Sequence, residues 1–143
     1  MKTSGIIGAI VIILAIGGVG LWLNKTNMMP QQKTNDTYDS LIQVFLPLPN
    51  QQVASPLKVS GKAVGNWYFE ASFPIMILDA NGEKLGVVPA QAQSGWMTTE
   101  FVPFEATLTF DKPTTKTGTL VLMKDNPSGL PENDDSISIP ISF

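Results

Sequence analysis

The stretch Phe104-Glu105-Ala106-Thr107-Leu108-Thr109-Phe110 decides the fold. Its apolar residues fall at every second position, with Glu105, Thr107 and Thr109 between them. A period of two puts one set of side chains on a core face and the other in water, which is the signature of a half-buried β-strand. The same period recurs outward from it. Ile137, Ile139, Ile141 and Phe143 alternate with Ser138, Pro140 and Ser142. Leu57, Val59, Gly61 and Ala63 alternate with Lys58, Ser60 and Lys62. Phe69, Ala71, Phe73, Ile75 and Ile77 are expected to share a face, and the apolar Met76 and Leu78 suggest a strand covered on both sides. Leu120 and Leu122, set against Val121 and Met123, predict a second central strand. Ile42, Val44 and Leu46 open the domain, and Leu85–Ala92 reads as a weaker strand.

Turn residues punctuate these runs. Asn81-Gly82 is a tight hairpin signal. Pro47, Pro49 and Pro56 separate the first strand from the second, and Asp111-Lys112-Pro113 and Gly118 bound another turn. Pro140 in mid-strand demotes the last strand to an edge or marks a bulge. No helical stripe follows residue 30. Seven short strands in about 100 residues predict an all-β, seven-stranded immunoglobulin-like β-sandwich.

The sequence ahead of this domain differs in kind. Gly5 to Leu23 is a run of 19 residues without a charged side chain, and as a helix it would span about 28 Å, close to the hydrocarbon core of a bilayer. Residues 1–25 are therefore read as an N-terminal transmembrane anchor, with Trp22 at the interface. A cleaved signal peptide is the alternative. Its small-residue pairs, Ala15/Gly17 and Gly18/Gly20, lie inside the apolar run, which favours retention. Residues 26–37 are polar and Pro-containing, and read as a flexible tether of about 20 Å. Residues 38–143 form the domain. The expected localisation is the cell membrane, single-pass, with the C-terminal domain extracytoplasmic.

Composition narrows the chemistry. The chain of 143 residues has a net charge of −3 and contains neither Cys nor His, and all of its bases are Lys. Ser-His-Asp and Cys-His nucleophile systems, CxxC redox chemistry and ordinary zinc sites are excluded. No basic stripe offers phosphate contacts, so nucleic acid is not expected as a partner. No SxxK motif supports Ser/Lys catalysis. No cofactor and no enzymatic activity are expected.

Three segments are candidates for binding. Trp67-Tyr68-Phe69-Glu70 opens the third strand. Alternation puts Trp67 in the core and turns Tyr68 and Glu70 outward, where Glu70 is either solvated, paired with Lys58 or Lys62, or a ligand. Gln93–Pro103 reads as a loop whose Trp96 is a lid on the core or a recognition residue. Lys124–Asp135 is the densest polar loop, with Asp125, Asn126, Ser128, Glu132, Asp134 and Asp135. Oxygen-rich loops can hold Ca²⁺. The DxDxDG pattern is absent, however, so a structural or partner-contact loop is the first reading and no metal is assigned. Asp134-Asp135 also reads as protection of an edge strand.

Val53-Ala-Ser-Pro-Leu-Lys-Val-Ser-Gly-Lys-Ala63, Trp67-Tyr-Phe-Glu-Ala-Ser-Phe-Pro74, Asp79-Ala-Asn-Gly82 and Pro103-Phe-Glu-Ala-Thr-Leu-Thr-Phe110 together resemble the Gmad2 family. This immunoglobulin-like domain is named for its occurrence in proteins linked to bacterial sporulation and spore germination. The resemblance runs from Leu41 to Phe143. It implies an extracytoplasmic bacterial domain with a binding or structural role and no catalytic residues. The expected function is a non-catalytic, membrane-anchored binding module of the cell envelope, with an envelope or membrane protein as partner. Two alternatives are a structural envelope subunit assembling through edge strands or the transmembrane helix, and a spore germination-related protein. The loops joining strands two–three, four–five and six–seven are expected at one end, beside the start of the first strand.

Overall fold

Alternating burial runs through a computed structural model that describes residues 40–143. The anchor and the tether lie outside the described residues. Among those described, no helix is long and apolar enough to cross a membrane.

Seven antiparallel strands follow in chain order: β1 (Ile42–Leu46), β2 (Leu57–Val64), β3 (Ser72–Asp79), β4 (Lys84–Ala92), β5 (Phe101–Leu108), β6 (Thr117–Met123) and β7 (Ser136–Ser142). They form one curled sheet in the order β1-β2-β5-β4-β3-β6-β7. The joint between β5 and β4 is only two residue pairs, Gln91↔Glu105 and Ala92↔Phe104. The sheet folds over at this joint into a sandwich-like pair of faces, β1-β2-β5 against β4-β3-β6-β7. Short hydrogen bonds close the other side: the N–H groups of Asn50 and Val53 donate to Pro140 and Ser142 of β7.

The two inner faces meet in an aromatic cluster. Phe104 and Phe73 lie 4.9 Å apart at 76°, an edge-to-face pair across the sandwich. Around it the buried core includes Ile42, Val59, Ala63, Ile75, Ile77, Ala90, Val102, Leu108, Leu120, Leu122, Ile139 and Ile141. Glu105, Thr107 and Thr109 point outward as expected, while Ala106 and Phe110 are half-buried rather than buried. Phe110 packs at the rim against Phe143, ring centroids 5.9 Å apart. Pro140 sits on an edge strand, where a missing N–H is tolerated.

Three expectations about strand limits and faces need correction. The segment Gln93–Pro103, read as a loop, gives its last three residues to β5, where Val102 is buried in the core. Leu46 does not share the inner face of Ile42 and Val44. The register shifts between Val44, opposite Gly61, and Leu46, opposite Ser60. Phe45 is the extra residue of this bulge, and it turns Leu46 to the outer face, where it is 46% exposed. The third strand begins at Ser72 rather than at Trp67, so Phe69 and Ala71 do not continue the inward row of Phe73, Ile75 and Ile77. Met76 and Leu78 are half-buried on the outer side of that row.

The β3–β4 hairpin turns where Asn81-Gly82 indicated, with Gly82 at φ 82°. That φ is open to glycine at little steric cost. Buried Asp79 organises the turn: its Oδ1 accepts the N–H groups of Asn81 at 2.8 Å and Glu83 at 2.9 Å.

Phe104→Ala is expected to lower stability by about 3–5 kcal/mol, as for other fully buried aromatics. Phe110→Ala is expected to cost clearly less; urea unfolding midpoints compare the two. Asp79→Ala leaves two turn N–H groups without their acceptor and is expected to cost about 1–3 kcal/mol in the same assay.

Candidate functional site

Strand β2 delivers the chain into the first loop at Gly65. Gly65–Trp67 forms a 3₁₀ turn, and this turn breaks the alternation that would have sent Tyr68 outward. Trp67 and Tyr68 are both buried. Their rings meet the edge of Phe73 at 6.4 and 5.1 Å. The Tyr68 hydroxyl donates to the Val102 carbonyl at 2.6 Å. Tyr68 is therefore a core residue and not an exposed binding residue. Burial pushes its phenol well above the ordinary range, with a backbone hydrogen bond at Ala63 opposing in part.

The chain then reverses within four residues. Phe69 and Ser72 exchange backbone hydrogen bonds at 3.0 and 3.1 Å. Between them Glu70 and Ala71 take φ of 48° and 64°, a left-handed conformation that costs a side-chain-bearing residue roughly 1–2 kcal/mol. This turn projects Phe69, 40% exposed, and Glu70 at the tip.

The loop from Gln93 to Glu100 folds over the same end. Gly65 donates to the Glu100 carbonyl at 3.2 Å. A Cβ at Gly65 would strike the carbonyls of Trp96 and Thr98, so glycine permits this close approach. Trp96 is half-buried against the core margin and lies edge-on to Phe69, 6.4 Å between centroids. The geometry favours the lid reading for Trp96. The next residue, Met97, is 85% exposed.

The third loop is Lys124–Asp135. Its neck is closed by Lys124 N–H donating to the Asp135 carbonyl at 2.8 Å, and Asp125 N–H ties it to the Trp67 carbonyl at 3.0 Å. Asn126 is its hub. Asn126 Nδ2 donates to Asp134 Oδ1 at 2.7 Å and to the Leu130 carbonyl at 2.8 Å, and its Oδ1 accepts the Ser128 hydroxyl at 2.5 Å. Asn133 Nδ2 donates to Ser128 Oγ at 3.0 Å. Asn126, Ser128 and Asp134 thus hold the loop's own shape. Glu132 is exposed on its Pro131–Asn133 turn, and Leu130 beside it is half-exposed.

All three loops sit at one end of the sandwich, and β1 starts there too, since the Leu41 carbonyl accepts from Val64. A shallow groove of about 580 Å³ runs along the third loop, lined by Pro74, Met123, Lys124, Asp125, Asp134 and Asp135 among others. No group of three acidic side chains converges to hold a metal ion among the described residues. What the end offers is carboxylates (Glu70, Glu100, Asp125, Glu132, Asp134 and Asp135), Lys124, Lys62 at its margin with Nζ 4.8 Å from the Phe101 ring centroid, and the apolar tips Phe69, Met97 and Leu130. Phe69 and Leu130 escape a sequence reading. Phe69 was assigned to the core by parity, and nothing in Glu70-Ala71 advertises a turn with two positive φ angles.

Residues 41–130 match the Gmad2 family, the immunoglobulin-like domain of bacterial spore germination. This chain belongs to the Gmad2 family. The match ends inside the third loop, and β7, beyond it, completes the sheet of this Gmad2 domain. The family is not known as an enzyme family. No curated protein and no solved structure matches the chain.

Burial of Tyr68 has a consequence at alkaline pH. An unfolded tyrosine ionises near pH 10, whereas the folded one holds its proton to higher pH. Above about pH 10 the unfolded state therefore binds fewer protons, and stability falls as pH rises. Tyr68→Phe is expected to flatten this alkaline loss relative to wild type, measured as unfolding midpoints at pH 8 to 11.5.

Proposed function

We propose that this Gmad2 domain is a non-catalytic binding module held on the outer side of the bacterial cell membrane, and that its three-loop end contacts an envelope or membrane protein. The observation that carries the reading is the convergence of three loops whose tips expose Phe69, Met97 and Leu130 among carboxylates. Apolar tips inside a polar rim suit a protein partner, because apolar anchors supply most of the binding energy while the rim excludes water. The carboxylates oppose docking on anionic lipid. The 19-residue apolar run supports membrane attachment. A role in spore germination rests on the family description.

Two measurements test this reading. A photo-crosslinking residue at Met97 in the full chain, in its own membranes, is expected to trap a discrete envelope protein. The same residue at Lys112, distant from the loops, is not, and Phe69→Ala is expected to reduce the Met97 product at least about tenfold if Phe69 is an anchor. Equal products at both positions would refute the loop-end contact. For the anchor, the chain is expected to stay in the membrane fraction through a carbonate wash. A soluble product beginning near Leu21 would identify a signal peptide instead.

A further inference from the structure

The outer face of β1, β2 and β5 carries a second groove, of about 570 Å³, bounded on its far side by β4. Strand register lays it out. One row of side chains crosses four strands: Leu46 opposite Ser60, Ser60 opposite Glu105, and Glu105 opposite Gln91. The next row sets Lys58 opposite Thr107, and Pro89 stands on the far wall. Lys58, Ser60, Glu105 and Thr107 thus form a quartet at the centre of the groove, with Lys58 and Glu105 on one diagonal. Both charged side chains are exposed. Neither makes an ion pair with another described residue.

The surroundings of this quartet are neutral, in an acidic chain. No charged residue occurs between Asp39 and Lys58. Lys62, the other cation of this face, is engaged over the Phe101 ring at 4.8 Å. Leu46 on the near rim is 46% exposed, and its chain neighbours Phe45 and Leu48 are 53 and 59% exposed. One cation and one anion therefore stand beside an exposed apolar rim. Solvent-exposed charges gain little from one another within a chain. The same charges interact more strongly once they are covered and each has opposite charges on two sides.

We infer that this face is a self-association surface whose occupant is a second copy of this chain, related by a twofold axis that lies in the face and passes through the centre of the quartet. The face is complementary to its own image. Any such axis brings Lys58 of each copy onto or beside Glu105 of the other, so two unpaired charges per chain become a ring of four with alternating sign. Ser60 and Thr107 occupy the other diagonal, and a hydroxyl both donates and accepts, so it suits either neighbour. Leu46 and its neighbours shield the ring from water. Two copies of a chain with net charge −3 repel one another over most of their surface; here they meet with balanced charge. A face four strands wide is about 15–20 Å across. That is a small interface, so the dimer depends on concentration. The face carries none of the tips Phe69, Met97 and Leu130, and the inference stands or falls independently of the loop-end reading.

Charge exchange tests this in the full chain in detergent micelles, with the dimer dissociation constant read by light scattering. The wild type is expected to pass from monomer to dimer as concentration rises. Lys58→Glu and Glu105→Lys each set like charges against one another across the axis, and each is expected to raise the dissociation constant at least about tenfold. Each substitution changes the net charge by two, from −3 to −5 for Lys58→Glu and from −3 to −1 for Glu105→Lys. Overall repulsion alone would make Glu105→Lys dimerise more tightly than wild type, the reverse of the expected loss. The double variant restores opposite signs across the axis and is expected to return to within about threefold of wild type. Near-ultraviolet circular dichroism is expected to be unchanged in all three variants, because both side chains are exposed. A wild type that stays monomeric at every concentration, a Glu105→Lys variant as tight as wild type or tighter, or a double variant no tighter than the single ones would each overturn the inference.

Discussion

The edge-to-face contact of Phe104 on Phe73 holds the two faces of this domain in register. Phe104 stands on β5 at the joint, opposite Ala92. Phe73 begins the inward row of β3, beside the same corner. Only two ladder pairs link β4 to β5, supplemented by Gln93 N–H on the Pro103 carbonyl and Asp111 N–H on the Leu85 carbonyl, so few backbone hydrogen bonds hold the corner. The side chains do the joining. An aromatic pair contributes about 0.5–1.5 kcal/mol beyond its buried area, and both rings are fully buried. Trp67 and Tyr68 then pack on Phe73. Through them the core reaches directly beneath the three loops.

That chain of contacts explains why a loop-rich end can be well defined. Trp67 contributes its carbonyl to the third loop through Asp125, and Tyr68 fastens to β5 through Val102. Gly65 lets the second loop lie against the first. The third loop supplies its own internal bonds from Asn126, Ser128, Asn133 and Asp134. A rigid frame of this kind lowers the entropy lost when exposed tips are immobilised by a partner. The polar residues that looked most like ligands in the sequence are largely the ones holding the frame.

How far the sequence could be read follows from the same physics. A period of two survives wherever a strand has one buried and one exposed face, so β2, β7 and the centres of β5 and β6 were legible, whereas Phe101–Pro103 at the start of β5 and Gly118 at the start of β6 were read as loop and turn. Asn81-Gly82 named its turn because glycine at positive φ is a chemical signal. The failures fall where the period slips without a marker. The bulge at Phe45 moved Leu46 to the other face, and a 3₁₀ turn followed by the Glu70-Ala71 reversal displaced the start of β3. Tyr68 and Phe69 were misassigned for that reason, whereas Trp96 was left open because a loop carries no period to read. Parity counts residues and cannot see an extra one unless glycine or proline announces it. The clustering of the three loops, by contrast, follows from strand order and needed no side-chain detail.

The Glu70-Ala71 turn shows how the core and the loop end are coupled energetically. Two side-chain-bearing residues at positive φ cost together a few kcal/mol, a sizeable share of the 5–15 kcal/mol that a domain usually holds. Such a conformation persists only when its surroundings over-determine it. Here they do so from both sides. Upstream, Trp67 and Tyr68 are locked beneath Phe73. Downstream, Ser72 enters β3 opposite Gln91, and the Ala71 carbonyl accepts Ala92 N–H at 2.8 Å. Ala92 is itself the residue opposite Phe104. The strained reversal that lifts Phe69 into solvent is thus fastened to the aromatic corner on which the fold turns.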